Sequence, residues 1–475
     1  MKRSYAKLLT VVFAFALIAA ACGDSNGDST ESGGDAATTE APTTEAPTTE
    51  APTTEAPTTE APETTEPMDE GDLAGTTVSV FGPESSDEEA GGVQDALDVF
   101  AEETGITIEY TGARDFSDQI NAQAVGGNPP DIAIFPQPGK VADFAREGLV
   151  LPLPDEVTAA SNENWPADWN NFGVVDGVQY AVPNKADLKS LVWYQPSRFE
   201  ALGYEVPQTY DEFVALVATA AADGNTPLCV GIESGPATGW VFTDWVEEMM
   251  LRFAGGDVYD QWVANEIPFD DPAVVSAMQQ VIDLWNSDGA VFAAGGSIAA
   301  TPFGDNGQPL VDGDCLMHRQ ASFFAAFIPE GTAFADGSEG AVDVFYFPSN
   351  EGKPILVAGT VASAFRDAPE VWAVMEYFSS AEYANARQAA QTERKGGGLS
   401  GFLSAANGVD SSLYQGLEKS FIDIMLNADV ARFDASDLMP AAVGAGTFWT
   451  EGTSIVNGDV SVEEGAANIQ ASWPS

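Results

Sequence analysis

Histidine is almost missing, with one residue in 475. A zinc site or a histidine-based catalytic triad is hard to build from a single imidazole. Basic side chains are scarce too, Lys+Arg 18 against Asp+Glu 73. A phosphate backbone is held by Lys and Arg, so nucleic acid is ruled out as a natural partner. Docking onto anionic lipid by charge is disfavoured for the same reason. Of the three cysteines, only Cys229 and Cys315 fall in the main body of the chain. In an exported protein such a pair reads as one disulfide; two free buried thiols are the alternative. Long hydrophobic runs are absent except at the start, and no later run is long enough to cross a membrane.

That first run reads as an export signal over residues 1–21. Lys2, Arg3 and Lys7 precede 14 apolar or small residues, Leu8 to Ala21 (one Thr among them). The run is too short for a stable span and ends in Ala19-Ala20-Ala21-Cys22. A cysteine directly after small residues resembles the point where bacterial lipoproteins are cut and acylated. The expectation is a lipidated Cys22 on the outer face of the cell membrane; an ordinary secretory cleavage is the alternative. Residues 22–73 then read as a disordered linker. Between residues 23 and 72 there are 14 acidic residues and no Lys or Arg, and Ala-Pro-Thr-Thr-Glu recurs from Ala41. So few apolar side chains cannot repay ordering entropy. With a proline every fifth residue, the limiting reach is on the order of 150 Å at ~3 Å per residue. Threonine and proline also permit O-glycosylation, although an inert spacer is the simpler reading.

The body carries 15 basic and 59 acidic side chains, a formal charge of −44. That describes a salt-tolerant surface and says nothing of fold. Its length exceeds what one hydrophobic core usually organises. Thr76–Phe81, Ile106–Tyr110 and Asp131–Phe135 are β-rich runs separated by helical patterns through Val93/Leu97 and Phe116/Ile120. Strands alternating with helices predict a parallel α/β sheet, with ligands beyond the carboxyl ends of the strands. The Gly82-Pro83 and Pro136-Gln137-Pro138 loops fall there. A second α/β series begins past residue 185. Thr209 with Glu212 forms a capping box, and Asp271-Pro272 opens another helix. The last hundred residues read as mostly helical.

Asn128–Phe135, Phe144–Gly148 and Leu151-Pro152-Leu153 resemble the first lobe of the extracellular solute-binding proteins of bacterial ABC importers, in the sugar-binding group. Thr226–Trp245, Val258–Phe269 and Cys315–Phe323 resemble its α-glucoside-binding branch. The likeness spans nearly all of residues 75–475. It implies a two-lobed α/β fold of the periplasmic-binding-protein type, with a ligand cleft between lobes joined by hinge segments. Lobe 1 is expected from 74–185 with 357–405, and lobe 2 from 186–356 with 406–475. It further implies a monomer that closes on a carbohydrate and engages ABC permease subunits, with no cofactor, no metal and no catalysis. The bond between Cys229 and Cys315 agrees with this likeness. A surface-anchored glycoside hydrolase or an adhesin are the competing functions. Among 59 acids, a carboxylate pair carries no weight for the first.

A sugar offers hydroxyls that donate and accept, and flat C–H faces. Gln137 is a bidentate candidate at the cleft rim, or a turn residue. Lys185 and Asp187 in the crossover could bond adjacent hydroxyls, or pair as a hinge ion pair. Glu233 opens a small-residue loop leading to Trp240, the best stacking platform unless it is core. Arg319, Gln320 and Phe323 follow a strand; Thr360 lies near the return crossing, and Lys395 starts a glycine-rich loop. His318, Trp245 and Trp285 read as structural. Gly396, Gly398 and Gly401 fit G-x-G-x-x-G, but no strand precedes them, so no phosphate loop is expected.

Overall fold

The computed structural model describes residues 73–474. The expected leader, Cys22 and the repeat segment lie outside them. Strands β1 (Thr77–Gly82), β2 (Thr107–Gly112) and β3 (Ile132–Phe135) pair in parallel around β1. Between β1 and β2 runs helix α1 (Asp87–Thr104). The Ser86 hydroxyl accepts the Glu89 N–H at its start, and Gly105 in the left-handed region ends it. Helix α2 (Phe116–Val125) returns the chain to β3, and α3 (Pro138–Arg146) leaves it. After a small hairpin of β4 (Val174–Val175) and β5 (Val178–Gln179), β6 (Val182–Leu188) crosses toward the second lobe.

The second sheet has the order β11-β7-β10-β8-β9. Its strands are β7 (Leu191–Tyr194), β8 (Leu228–Cys229), β9 (Val291–Phe292), β10 (Met317–Arg319) and β11 (Asp343–Tyr346). Helix α4 (Tyr210–Ala222) carries the complete Thr209/Glu212 capping box, and the Asp271 side chain caps α6 (Pro272–Trp285). Between these two lies α5 (Trp240–Phe253). The large apolar core of this lobe gathers Phe213, Phe242, Trp245, Met278 and Trp285. Cys229 and Cys315 are bonded, with Cα atoms 5.5 Å apart.

Strand β12 (Pro354–Ala364) carries the chain back, and all eleven of its residues are buried. It runs antiparallel to β6 and to β3, and at its start it pairs in parallel with β13 (Val430–Phe433). The first sheet is therefore mixed, not purely parallel, because the strand supplied by the return crossing runs against the βα units. Its order is β13-β12-β3-β1-β2, with β6 on β12. A register shift sits between Thr360 and Val361. Helix α7 (Ala381–Arg394) packs on α1, whereas Leu399 and Leu403 belong to the core containing Leu191 and Cys229. A third passage thus lies at Gly396-Gly397-Gly398, with φ of 64° and 86° at the first two. Three segments join the lobes. Among the described residues no helix is long and apolar enough to cross a membrane.

Candidate functional site

A strand turns alternate side chains to one face. On β6 and its exit, that face presents Lys185, Asp187 and Lys189, and all three line a cavity of about 210 Å³ between the lobes. At roughly 10–15 Å³ of such volume per water, there is room for more than a dozen waters, a volume on the scale of a small saccharide. Lobe 1 contributes Pro83 and Glu84 after β1, Arg114 after β2, and Pro136 and Gln137 after β3. These are the strand carboxyl ends expected to meet a ligand. Lobe 2 contributes Trp240, Asp244, Phe303, Phe323 and Trp449. Between them lie Gly359 and Thr360 of β12, and Asp434, Ser436 and Asp437 after β13.

The Lys185 ammonium lies 3.4 Å from Asp187 and 3.7 Å from Glu84, and 5.5 Å from the centre of the Phe323 ring. Burial works against its charge, but Asp187, Glu84 and Glu89 outweigh it and raise its pKa. Burial pushes the Glu89 carboxyl up. The Gln137 side-chain oxygen accepts the Ser117 hydroxyl at 3.0 Å. Thr360 donates its hydroxyl to Asn184.

Lys189 sits deeper. It donates to Asp244 at 2.7 Å and to Asp434, and lies 5.6 Å from the Trp240 ring centre. Arg319 binds Asp244 at 3.1 Å and Glu248 at 2.8 Å, and Arg252 also pairs with Glu248. Five acids, Asp244, Glu247, Glu248, Asp434 and Asp437, thus face three bases. Burial pushes Glu247 and Asp437 well above the usual carboxylate range and Asp244 up to about 6. Five carboxyls against three cations leave two without a partner charge, and burial disfavours the ionised forms of Glu247 and Asp437. Oxygens of Asp244, Glu247 and Asp434 lie within 4.8 Å of one another, a possible cation cradle. Lys189 already bonds two of these three carboxylates, so a side-chain ammonium supplies the cation there.

Six expected ligand contacts come together in the cavity wall: Gln137, Lys185, Asp187, Trp240, Phe323 and Thr360. Trp240 begins α5 and does not sit in a loop. Four others lie away from the wall. The Glu233 carboxylate accepts the Gly235 N–H at 2.7 Å and serves its own turn. Arg319 is fully buried on β10, between strands on both sides, and both its terminal nitrogens are engaged. The Gln320 side-chain oxygen accepts the Ala321 N–H at 2.8 Å, and the residue is wholly buried. Lys395 donates to the Ala326 carbonyl at 2.8 Å and so ties the glycine passage to lobe 2.

His318 shares a 2.9 Å hydrogen bond with the Cys229 carbonyl, and burial lowers its pKa to about 4. Trp245 and Trp285 are core. Sequence reasoning missed Glu84, Lys189, Asp244, Asp434, Asp437 and Trp449. One signal was available: Asp244, Glu247 and Glu248 recur at helical spacing on an otherwise apolar helix. Acids on a buried face need partners.

Two α/β lobes, three connecting segments and a cavity at their junction lined from both lobes define a two-lobed solute receptor. The chain belongs to the family of bacterial extracellular solute-binding proteins, whose pattern matches residues 84–385. It is 39% identical over 421 residues to the alpha-glucosides-binding periplasmic protein AglE of Rhizobium meliloti, covering 85% of this chain and 88% of that one. It is 40% identical over 402 residues to the osmoprotective compounds-binding protein GgtB of a Synechocystis strain, covering 80% and 89%. Among solved structures, the bacterial solute receptor AcbH matches with a TM-score of 0.69 at 19% identity, over 84% of this chain and 97% of that one. Maltose-bound MalE3 of T. maritima matches at 0.64 and 17%, over 83% and 98%. At those identities the structural likeness speaks for the fold.

Proposed function

We propose that this chain is the extracellular receptor of an ABC importer for a small, neutral, polyhydroxylated solute, with an α-glucoside the first candidate. The carrying observation is the cavity where loops of both sheets meet the crossing strands. The relative named for α-glucosides supports this ligand class, and the relative named for osmoprotective compounds supports uptake of a solute by the same kind of receptor. Gln137, Lys185, Asp187 and Thr360 supply hydroxyl contacts from lobe 1 and the crossings. Trp240 and Phe323 supply apolar faces from lobe 2. Solute bound between the lobes favours the closed form over the open one, and the closed form is what permease subunits engage. The receptor works as a monomer held to the membrane by acylated Cys22, with the acidic linker setting its reach, and it turns over no substrate.

A thermal-shift screen of residues 73–475 tests the ligand class. Maltose, trehalose, sucrose, glucose, a β-linked disaccharide, polyols and amino acids form the panel. A ligand at a hundredfold excess over Kd should add ~2.7 kcal/mol of stability. A selective shift with an α-glucoside is expected, and no cleavage of a chromogenic glycoside. Silence with every sugar, or a shift with an amino acid alone, sinks the reading. Trp240→Ala should abolish most of the shift while the unliganded melt moves by less than the cost of a core tryptophan, about 3–5 kcal/mol. Unchanged binding would remove Trp240 as the platform.

A further inference from the structure

Within a helix glycine is less favourable than alanine, so a helical glycine asks for a reason. Gly139 is the second residue of α3, in lobe 1. A Cβ at this position would overlap the Met439 carbonyl and come within 2.9 Å of the Leu438 carbonyl oxygen. Those atoms are main chain, and they belong to lobe 2. Four residues further along α3, the Asp143 carboxylate accepts the Ala441 N–H at 2.9 Å. Residues four apart share one face of a helix. One face of α3 thus meets a single backbone turn, residues 438–441, across the gap between the lobes.

Both sides of this contact are anchored in their own lobes. Val141 and Phe144 of α3 lie in a lobe 1 core with Phe81 and Phe135. Ala435, Met439 and Val443 lie in the lobe 2 core with Phe242 and Trp262. The short helix Ala435–Leu438 leads into the turn, and Val443–Phe448 leaves it as a π-helix that runs on into Trp449. Gly444 in this π-turn lies against the Ser436 carbonyl, where a Cβ would overlap it, so the two limbs are clamped together. A second contact between the lobes is of another kind. There Arg114 of lobe 1 lies over the Phe303 ring of lobe 2, 5.7 Å from its centre. A long side chain on a ring tolerates a change of angle, whereas two main chains in contact do not. Gln137, just before α3, and Asp437, just before the turn, both line the cavity. The rigid contact therefore stands directly beside the solute space.

We propose that α3 and the turn at 438–441 form a latch that sets the angle at which the lobes close. Gly139 against the Met439 carbonyl is its stop, and the Asp143 carboxylate with the Ala441 N–H is its clasp. This rests on the receptor reading above and goes beyond it, because main-chain contact, and not the size of the solute, then limits closure. In the open form both groups of the clasp return to water, so little is lost when it breaks. A methyl group at position 139 holds the lobes apart. The fraction able to close falls, and the apparent affinity falls in proportion. On α3 itself the same methyl group is favourable. The latch therefore predicts opposite signs, with binding weaker and the unliganded fold no weaker. A contact fixed within the fold predicts lost stability instead.

Calorimetric titration with maltose and trehalose, together with thermal melts, compares the 73–475 chain with Gly139→Ala and Asp143→Ala. Gly139→Ala should weaken binding of whichever sugar the wild type takes by about tenfold or more, with the unliganded melt unchanged or raised. Small-angle scattering should give the sugar-saturated variant a larger radius than the saturated wild type. Asp143→Ala adds no bulk and should weaken binding about threefold to tenfold at an unchanged melt. Equal affinity in Gly139→Ala and wild type overturns the stop, and equal affinity in Asp143→Ala overturns the clasp. A folded Gly139→Ala chain that melts well below wild type overturns the latch, because the contact is then fixed within the fold. Should Gly139→Ala fail to fold, Asp143→Ala decides alone: weaker binding at an unchanged melt supports the latch, and equal affinity overturns it. A wild-type chain that binds neither sugar, nor any other neutral polyol of the panel, overturns the receptor reading and the latch with it.

Discussion

Lys185 and Lys189 stand four residues apart on the same face of the same crossing, yet their surroundings differ. Lys189 is gripped: it makes hydrogen bonds to Asp244 and Asp434, whose charges are shared onward with Arg319 and Ser436. Lys185 is loosely held, with its two acids at ion-pair distance, and one oxygen of its partner Asp187 has no hydrogen bond. The first site is a finished structural joint; the second has capacity left for a solute. A buried charge therefore marks function here less by its presence than by what remains unsatisfied around it.

Three experiments would break or sharpen this contrast. The largest effect belongs to Lys189→Ala. It strands Asp244 and Asp434 without their shared cation, and losing one partner of a buried pair costs about 3–5 kcal/mol. Chemical denaturation should show this loss; one below 1 kcal/mol would make the joint ornamental.

The second effect concerns pH. Burial pushes Asp244, facing Lys189, Arg319 and Asp434, up to about 6 in the fold, above the usual carboxylate range, and it raises Glu247 and Asp437 as well. Between about pH 4 and 6 the folded chain holds protons that the unfolded chain has released. Stability contributed by these groups is therefore present in acid and lost as pH rises. His318 opposes this, because its lowered pKa makes the unfolded state bind a proton first below about 6.5. Three carboxyls outweigh one imidazole, so stability should rise by on the order of 1–3 kcal/mol from pH 7 to 5. Melts at constant ionic strength check the rise, and Glu247→Gln should flatten it. A monotonic fall over the same range would contradict the protonated cluster.

The smallest effect on stability belongs to Lys185→Met, about 1–3 kcal/mol, because its buried acids sit at ion-pair distance and no close hydrogen bond is lost. Sugar affinity should nonetheless drop about tenfold in calorimetry. If Lys185→Met costs as much stability as Lys189→Ala and leaves affinity intact, the contrast is reversed.

Much of the architecture was legible because it is local. The β-rich runs at β1 to β3 and the capping box at Thr209 depend on neighbours in the chain, and each reads without its tertiary context. The mixed character of the first sheet was not legible, since β12 and β13 are joined to it from far along the chain. For the site, Lys185 and Asp187 were readable from the crossover, whereas Lys189 was not, because the alternation that brings it to the same face appears only once β6 is seen to run through this stretch. Asp434, Asp437 and Trp449 arrive from the last fifty residues, and a π-turn has no simple sequence period. Arg319 and Gln320 misled because their bidentate shape suggests recognition, while both are buried and turned to partners inside lobe 2.

Strand β12 runs through both halves of the molecule, and its register shift falls between Thr360 and Val361, beside the cavity. A strand bends most readily at such an irregularity. On the proposed receptor reading, a solute in this cavity would lie close to that bend, and a small displacement there would become a larger one at the far rims of the lobes.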